Sequence, residues 1–251
     1  MYKIPEGTLF TGKSLIYVPE CHSTNDIAAQ MLQQPSIHEG SVIITDRQLS
    51  GRGQRGAKWV SEHGKNLTLS IVLKPSFLEP KEQFFLNVVI SLAVCEALKS
   101  YLSTVLVKWP NDIMVNDKKI GGILIENQIK GNVLANSIVG IGLNVNQTVF
   151  PLATATSLRL ITGKDVILQQ VLESLLKQIE VHYIRLKKRQ TASLMKDYLG
   201  ALYWRGAIHT FSDKQGEFTG LITGVDASGR LHIDINGLDR YFAVKEVEYI
   251  R

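Results

Sequence analysis

Cysteine is scarce. Only two cysteines occur among 251 residues, Cys21 and Cys95, and they form no C-x-x-C pair, so a disulfide-stapled secreted scaffold is excluded and reduced thiols are expected. The six histidines (His22, His38, His63, His182, His209 and His232) contain no H-x-x-x-H pair, which argues against a protein-ligated structural metal. No apolar run approaches the roughly 20 residues that a membrane-spanning helix needs, and no signal-peptide pattern opens the chain. Internal repeats and low-complexity linkers are also missing. What remains is a chain about 45% hydrophobic with a net charge of +5. That composition suits a soluble cytoplasmic enzyme with one sizeable domain and a smaller second one.

The most informative stretch is Lys108-Trp109-Pro110-Asn111-Asp112, running on through Lys118-Lys119 to Gly121-Gly122 and Glu126. Short apolar strands flank turns at Asn111-Asp112 and Asn116-Asp117, so the segment reads as a hairpin presenting amines and a carboxylate. Lysine is an anion-binding point charge, Asp112 can take a proton or hold a cation, and the paired glycines allow close approach. These groups suit a reaction passing through a phosphate ester, although an isolated KK-GG could equally be a solvated polar hairpin.

A second segment, Gly51-Arg52-Gly53-Gln54-Arg55-Gly56, fits G-x-G-x-x-G. The dinucleotide fingerprint also requires a following helix and an acidic residue about 20 positions on. Here an apolar strand from Leu67 to Leu73 follows, and Ser76-Phe77 stands at the acidic position. A kinase loop is excluded because no H-R-D or D-F-G occurs. A glycine-loosened loop remains, with two arginines suited to phosphate or carboxylate and expected to order only when an anion binds.

Ser23-Thr24-Asn25-Asp26 precedes an apolar helical pattern, with Ser23 or Thr24 as the natural N-cap and Asp26 in the first turn. The other hydroxyl and the Asn25 amide are then available to a polar, uncharged ligand. Finally, Gly140-Ile141-Gly142-Leu143-Asn144-Val145-Asn146 ends an apolar strand with alternate asparagines placed to read a base or ribose.

Taken in order, S-T-N, G-R-G-x-x-G-x-x-W, K-W-P-N-D, K-x-G-G-I-L-x-E and G-I-G-x-N-x-N closely resemble the biotin protein ligase family over residues 23–146. The resemblance implies two steps. Biotin and ATP, with Mg2+, give biotinyl-5'-AMP, and the biotinyl group then passes to a lysine of the biotin carboxyl carrier domain of a carboxylase. By the same resemblance Ser23, Thr24, Asn25, Gln48, Gly51, Arg52, Gly53, Gln54 and Lys119 hold biotin. Arg52, Arg55, Trp59, Lys108, Asn111, Lys119, Gly142, Asn144 and Asn146 are assigned to ATP or the adenylate, and Lys119, Asp112, Arg52 and Arg55 to catalysis. Lys119 would offset the repulsion between carboxylate and α-phosphate, and Asp112 would handle the proton of the acceptor amine. The family commonly has G-R-G-R, whereas Gln54 stands at the second arginine here, leaving Arg55 to supply the charge.

The resemblance implies an α+β catalytic fold, class II synthetase-like, over residues 1–202, and an SH3-like barrel over 203–251. The patterns predict helices at 24–34, 82–102, 165–189 and 192–200. Strands are predicted at 41–45, 67–73, 105–109, 113–115, 120–126 and 133–145, in a largely antiparallel sheet with helices on one face. Beyond Tyr203, short strands at 207–211, 217–225, 230–235 and 240–244 and a last piece to 250 alternate with turns such as Asn236-Gly237.

Lipoate or octanoate protein ligases share the implied fold and are the rival within it, but K-W-P-N-D, G-R-G and the C-terminal strands favour biotin. A nucleic-acid module is the rival from another class, and it lacks interleaved surface aromatics. The 22 residues before Ser23 are too short for a helix-turn-helix module, so sequence-specific DNA binding is not expected. The basic run 185–189 reads as a solvated helix end, and a homodimer is compatible with the resemblance.

Overall fold

Seven strands and five α-helices frame the N-terminal four-fifths of the molecule in a computed structural model that describes residues 2–250, with the side chain of Arg55 outside the described residues. In chain order they are β1 (Leu15–Cys21), α1 (Thr24–Met31), β2 (Val42–Gln48), β3 (Leu67–Leu73), α2 (Phe84–Leu98), β4 (Leu106–Lys108), β5 (Asp112–Val115), β6 (Lys118–Lys130), β7 (Val133–Leu143), α3 (Leu158–Thr162), α4 (Leu168–Lys187) and α5 (Thr191–Gly200). The sheet order is β1-β2-β3-β7-β6-β5-β4. All neighbours are antiparallel except β1 and β2, which run parallel. Nothing local in the sequence points to that parallel pairing.

Every residue of β3 is buried, because both faces of the sheet centre are covered. Leu67, Leu69, Ile71 and Leu73 meet α2 and α4, whose buried residues join the main core. Within α4, Val171, Leu175, Ile179 and Leu186 form one buried stripe. The expectation of helices on one face needs correction. Ala28 of α1 packs with Ile43, Val72 and Ile138 in a separate cluster on the opposite face, since alternate strand residues point to opposite sides.

Three of the helices fall inside the predicted spans, and α5 begins one residue before its predicted 192–200. The predicted 24–34 stops at Met31, where Pro35 forbids continuation, and 82–102 narrows to Phe84–Leu98. The five-residue α3 was too short to show a period. The basic run at the end of α4 is tied down: Arg185 pairs with Asp197 at 2.7 Å, and Arg189 pairs with Glu82 at 2.8 Å.

Residues beyond α5 form a second, antiparallel sheet from β8 (Ile208–Asp213), β9 (Gly216–Val225), β10 (Leu231–Ile235), β11 (Leu238–Phe242) and β12 (Glu248–Tyr249), in the order β11-β10-β9-β8-β12. It is five-stranded with β11 and β12 as its edges, so no closed barrel is formed by its pairing.

One buried carboxylate anchors the N-terminal segment to α4. Glu180, only 6% exposed, accepts hydrogen bonds from Leu9, Phe10 and Thr11 backbone N–H groups at 2.7, 2.8 and 3.0 Å. Burial works to raise its pKa, but the N–H donors prevail and hold it below the usual carboxylate value. Because the folded-state pKa lies below the unfolded one, this stabilisation is complete above the ordinary carboxylate range. It is lost as the pH falls through the depressed value. Glu180→Gln is expected to lower unfolding free energy at pH 7 by about 2 kcal/mol and to flatten the acid limb of a stability–pH curve. An acid limb identical to that of the unsubstituted protein would contradict this account.

Candidate active site

Alternation along the strands gives the α1 face of the sheet an uncommon floor. On β7, Gly140 and Gly142 share the face of Ile138. On β6, Gly122 and Glu126 lie on it, and on β3, Thr68 and Ser70. The register sets Asp112, Gly122, Gly142 and Thr68 in one cross-sheet row, with Leu124, Gly140 and Ser70 in the next. Three glycines at adjacent positions leave a trough over the sheet, and a cavity of about 680 Å³ occupies it.

At one end the Ser23–Asn25 segment opens α1. Ser23 sits at the N-cap position, yet its hydroxyl makes no capping bond. Gln48, at the end of β2, supplies the acceptor instead, taking the Thr24 N–H at 2.9 Å. Both hydroxyls and the Asn25 amide are buried and on the cavity wall. Asn25 lies directly above Gly140, where a Cβ would come within 2.5 Å of its Oδ1. Ser70 Oγ lies 2.6 Å from that Oδ1 as donor, and Asn25 Nδ2 donates to Glu126 Oε2 at 2.6 Å. Both amide ends are thus fixed, and its orientation with them. Ser70 and Glu126 are contributors that the motifs did not single out as site residues; cross-strand register alone brings them to Asn25.

The glycine-rich loop is a small closed hairpin. Trp59 N donates to Gly51 O at 2.9 Å and Gly53 N to Ala57 O at 2.6 Å. Gly51 is buried under Trp59 backbone and the Gln48 amide and does not line the cavity, so its part is to let the loop pass. Gly53 and Gln54 do line it. Arg52, expected to have little to hold it, is paired with Asp26 Oδ1 at 2.6 Å and Glu126 Oε1 at 3.3 Å. The Arg55 side chain lies outside the described residues. Trp59 lays its indole over Gly142 so closely that any Cβ there would collide with the ring. The indole N–H is shielded and has no hydrogen-bond partner among the described residues.

At the other end, the β4–β5 hairpin and the start of β6 bring Lys108, Asn111, Asp112 and Lys119 to one wall. Lys119 Nζ pairs with Asp112 Oδ1 at 2.6 Å and stands 5.9 Å from the Trp59 ring. Lys108 lies 4.6 Å from the Tyr249 ring centre. The Asn111 amide is spent on the backbone of β6, donating to Ile123 O. Lys245, Glu248 and Tyr249, on the C-terminal sheet and the loop before β12, close this end, and no sequence signal pointed to them. Burial holds the Tyr249 phenol well above its usual range, reinforced by Tyr203.

Asn144 and Asn146, expected as base or ribose readers, do not line the cavity. Asn144 Nδ2 donates to Thr156 O at 3.0 Å, and Asn146 exchanges hydrogen bonds with the Val166 backbone at 2.8 and 2.9 Å. They fix the chain around α3 beneath the site. Among the described residues no group of three or more His, Cys, Asp or Glu side chains could hold a metal, and no helix is long and apolar enough to cross a membrane.

Known proteins resemble this arrangement over most of the chain. Residues 17–144 match the model of the biotin/lipoate A/B protein ligase family. The bifunctional ligase/repressor BirA of Bacillus spizizenii is 32% identical over 68% of this chain, and the match spans 54% of that relative, about half its length. The biotin--[acetyl-CoA-carboxylase] ligase of Mycobacterium tuberculosis is 26% identical over 95% of this chain and 90% of its own. Among solved structures, the biotin protein ligase of Aquifex aeolicus in complex with biotin and ATP superposes with a TM-score of 0.79 at 30% identity, covering 95% of this chain and 99% of that one.

Proposed function

The chain belongs to the biotin/lipoate A/B protein ligase family, and from that premise we propose that it activates biotin with ATP to biotinyl-5'-AMP and transfers biotin to a lysine of a biotin carboxyl carrier domain. The observation that carries this reading is the Lys119–Asp112 pair at one end of a glycine-floored cavity whose other end is the Ser23–Asn25 and Gln48 cluster. A neutral, polar ureido ring suits the buried hydroxyls and the oriented amide. A carboxylate and an α-phosphate must meet near Lys119, where a fixed cation lowers the barrier between two anions. The relatives named as biotin ligases favour biotin over lipoate.

Magnesium would arrive with ATP. A hard cation that keeps several waters needs only one or two protein carboxylates beside the phosphates, and Asp112 and Glu248 are on that wall. It would neutralise the pyrophosphate leaving group. We take residues 1–202 as the catalytic unit and the C-terminal sheet, 203–251, as an SH3-like unit closing the nucleotide end.

The decisive experiment supplies biotin and Mg-ATP without any carrier and measures pyrophosphate and biotinyl-AMP, with lipoate and octanoate as parallel arms. Adenylate from biotin alone is the expected result, and product only from another acid would overturn the assignment. In the same assay, Arg55→Ala is expected to release adenylate that labels bystander lysines several-fold above the unsubstituted protein. Gln54→Ala should retain it, because a neutral amide lacks the charged fork. The reverse ranking would show that Gln54 itself holds the ligand.

A further inference from the structure

The hairpin bearing Lys108, Asn111 and Asp112 stands at the margin of the seven-stranded sheet, with β4 outermost. A three-residue edge strand leaves one row of backbone groups without sheet partners. Residues beyond α5 take them up: Val107 N donates to Ala201 O at 2.8 Å, and Tyr203 N to Val107 O at 2.9 Å. The Tyr203 hydroxyl, in turn, donates to Asp117 Oδ1 at 2.7 Å, at the far end of the same hairpin. Trp109 reaches furthest. Its ring is 4% exposed, and its Nε1 donates to Gly229 O, 2.9 Å away in the turn between β9 and β10. A buried indole generally needs such an acceptor. This one lies in the other sheet, 120 residues on.

That turn is built around the Asp226 carboxylate. Asp226 Oδ1 accepts from Ser228 N at 3.0 Å, Ser228 Oγ at 2.6 Å and Arg230 N at 3.0 Å, while Oδ2 accepts from Arg230 Nε at 2.8 Å. Gly229 has φ +90°, and a Cβ there would sit 2.5 Å from Phe84 Cδ2 of α2. Only glycine fits the backbone and the space together. The turn is therefore wedged between α2 and Trp109, the residue that links Lys108 to the Asn111-Asp112 corner.

We propose that Asp226, Gly229 and Trp109 form a clasp through which the C-terminal sheet sets the position of Lys108 and Asp112 for adenylate formation. Trp109 and Asp226 are then positioning residues. The assignment rests on the reading of that wall as the ATP end. The biotin end is independent of the clasp, because Ser23, Thr24, Asn25 and Gln48 hang on α1 and β2.

Trp109→Phe keeps an aromatic ring in the buried position and removes the indole N–H donor, together with the part of the ring system that carries it. It is expected to raise KM for ATP or lower kcat for adenylate formation about tenfold, in line with one buried hydrogen bond, while biotin affinity without ATP stays within twofold. Asp226→Ala should do the same, and the double variant should be no worse than the poorer single one, because both break one connection. Hydrogen exchange at the tryptophan indoles gives a readout free of activity: the Trp109 N–H should be protected in the unsubstituted protein and exchange faster in Asp226→Ala. Unchanged ATP parameters in Trp109→Phe, fully additive losses, or an indole indifferent to Asp226 would overturn the clasp while the ligase reading stood. If the unsubstituted protein forms no adenylate, that reading fails instead, and the indole exchange judges the clasp alone.

Discussion

Lys119→Ala is expected to slow biotinyl-AMP formation about 10²–10³-fold, the scale of removing one fixed charge or donor aimed at a developing transition-state charge. Lys119 reaches the cavity from the start of β6, and Asp112 at 2.6 Å fixes its ammonium there. Asp112→Asn keeps an acceptor oxygen for Lys119 and removes the negative charge. Adenylation should therefore fall only about tenfold, whereas transfer to the carrier lysine should fall further, since a neutral amide cannot take the amine's proton. The two half-reactions are separable: single-turnover adenylation with biotin and ATP, then transfer from supplied biotinyl-AMP. Equal losses in both steps for both variants would remove the division of labour and assign Asp112 to the magnesium that accompanies ATP.

The ion pair itself was not legible in the sequence, although both of its members were. Lys119 and Asp112 stood out as charges beside glycines in a hairpin, but which faced which depended on a register shift between Ile113 and Met114, a local irregularity without a sequence signature. Asparagine was harder still. Asn25, Asn111, Asn144 and Asn146 all looked like polar groups available to a ligand, and an amide serves a backbone as readily as a base. Three of the four spend their amides on main-chain carbonyls, and only Asn25 is held on the cavity wall by side chains alone.

Strand existence was read well where composition was unambiguous, as in Leu67–Leu73, and poorly where pairing was non-local, as in the parallel β1–β2 edge. The face occupied by α1 followed from the same non-local facts. The pattern of 24–34 showed an apolar stripe, but nothing local told which side of the sheet would cover it. The closure of the Lys108–Lys119 end of the cavity by Lys245, Glu248 and Tyr249 depends on the packing of one sheet against another, which short alternating strands do not encode.

The glycine floor yields the sharpest test of the proposed biotin end. Gly140→Ala is expected to weaken biotin binding about a hundredfold while leaving the fold intact. The backbone at Gly140 has no positive φ, so alanine is not strained there. The obstacle is steric: its methyl would fall 2.5 Å from Asn25 Oδ1. Asn25 has little freedom to retreat, with Ser70 and Glu126 both held at 2.6 Å, so yielding breaks hydrogen bonds, one of them to a charge, each worth about 1–3 kcal/mol. Gly142→Ala makes the useful contrast. Its methyl would strike the Trp59 ring and should impair ATP use, while biotin affinity measured by calorimetry without ATP stays near that of the unsubstituted protein. A further comparison separates the cause from a general loss of structure. Once Asn25→Ala has removed the amide, adding Gly140→Ala should weaken biotin binding no further, because the methyl then has nothing to displace. Undiminished biotin binding by Gly140→Ala would mean that Asn25 does not hold the ureido ring. Losses that simply add in the double variant would mean that the methyl acts by some route other than Asn25.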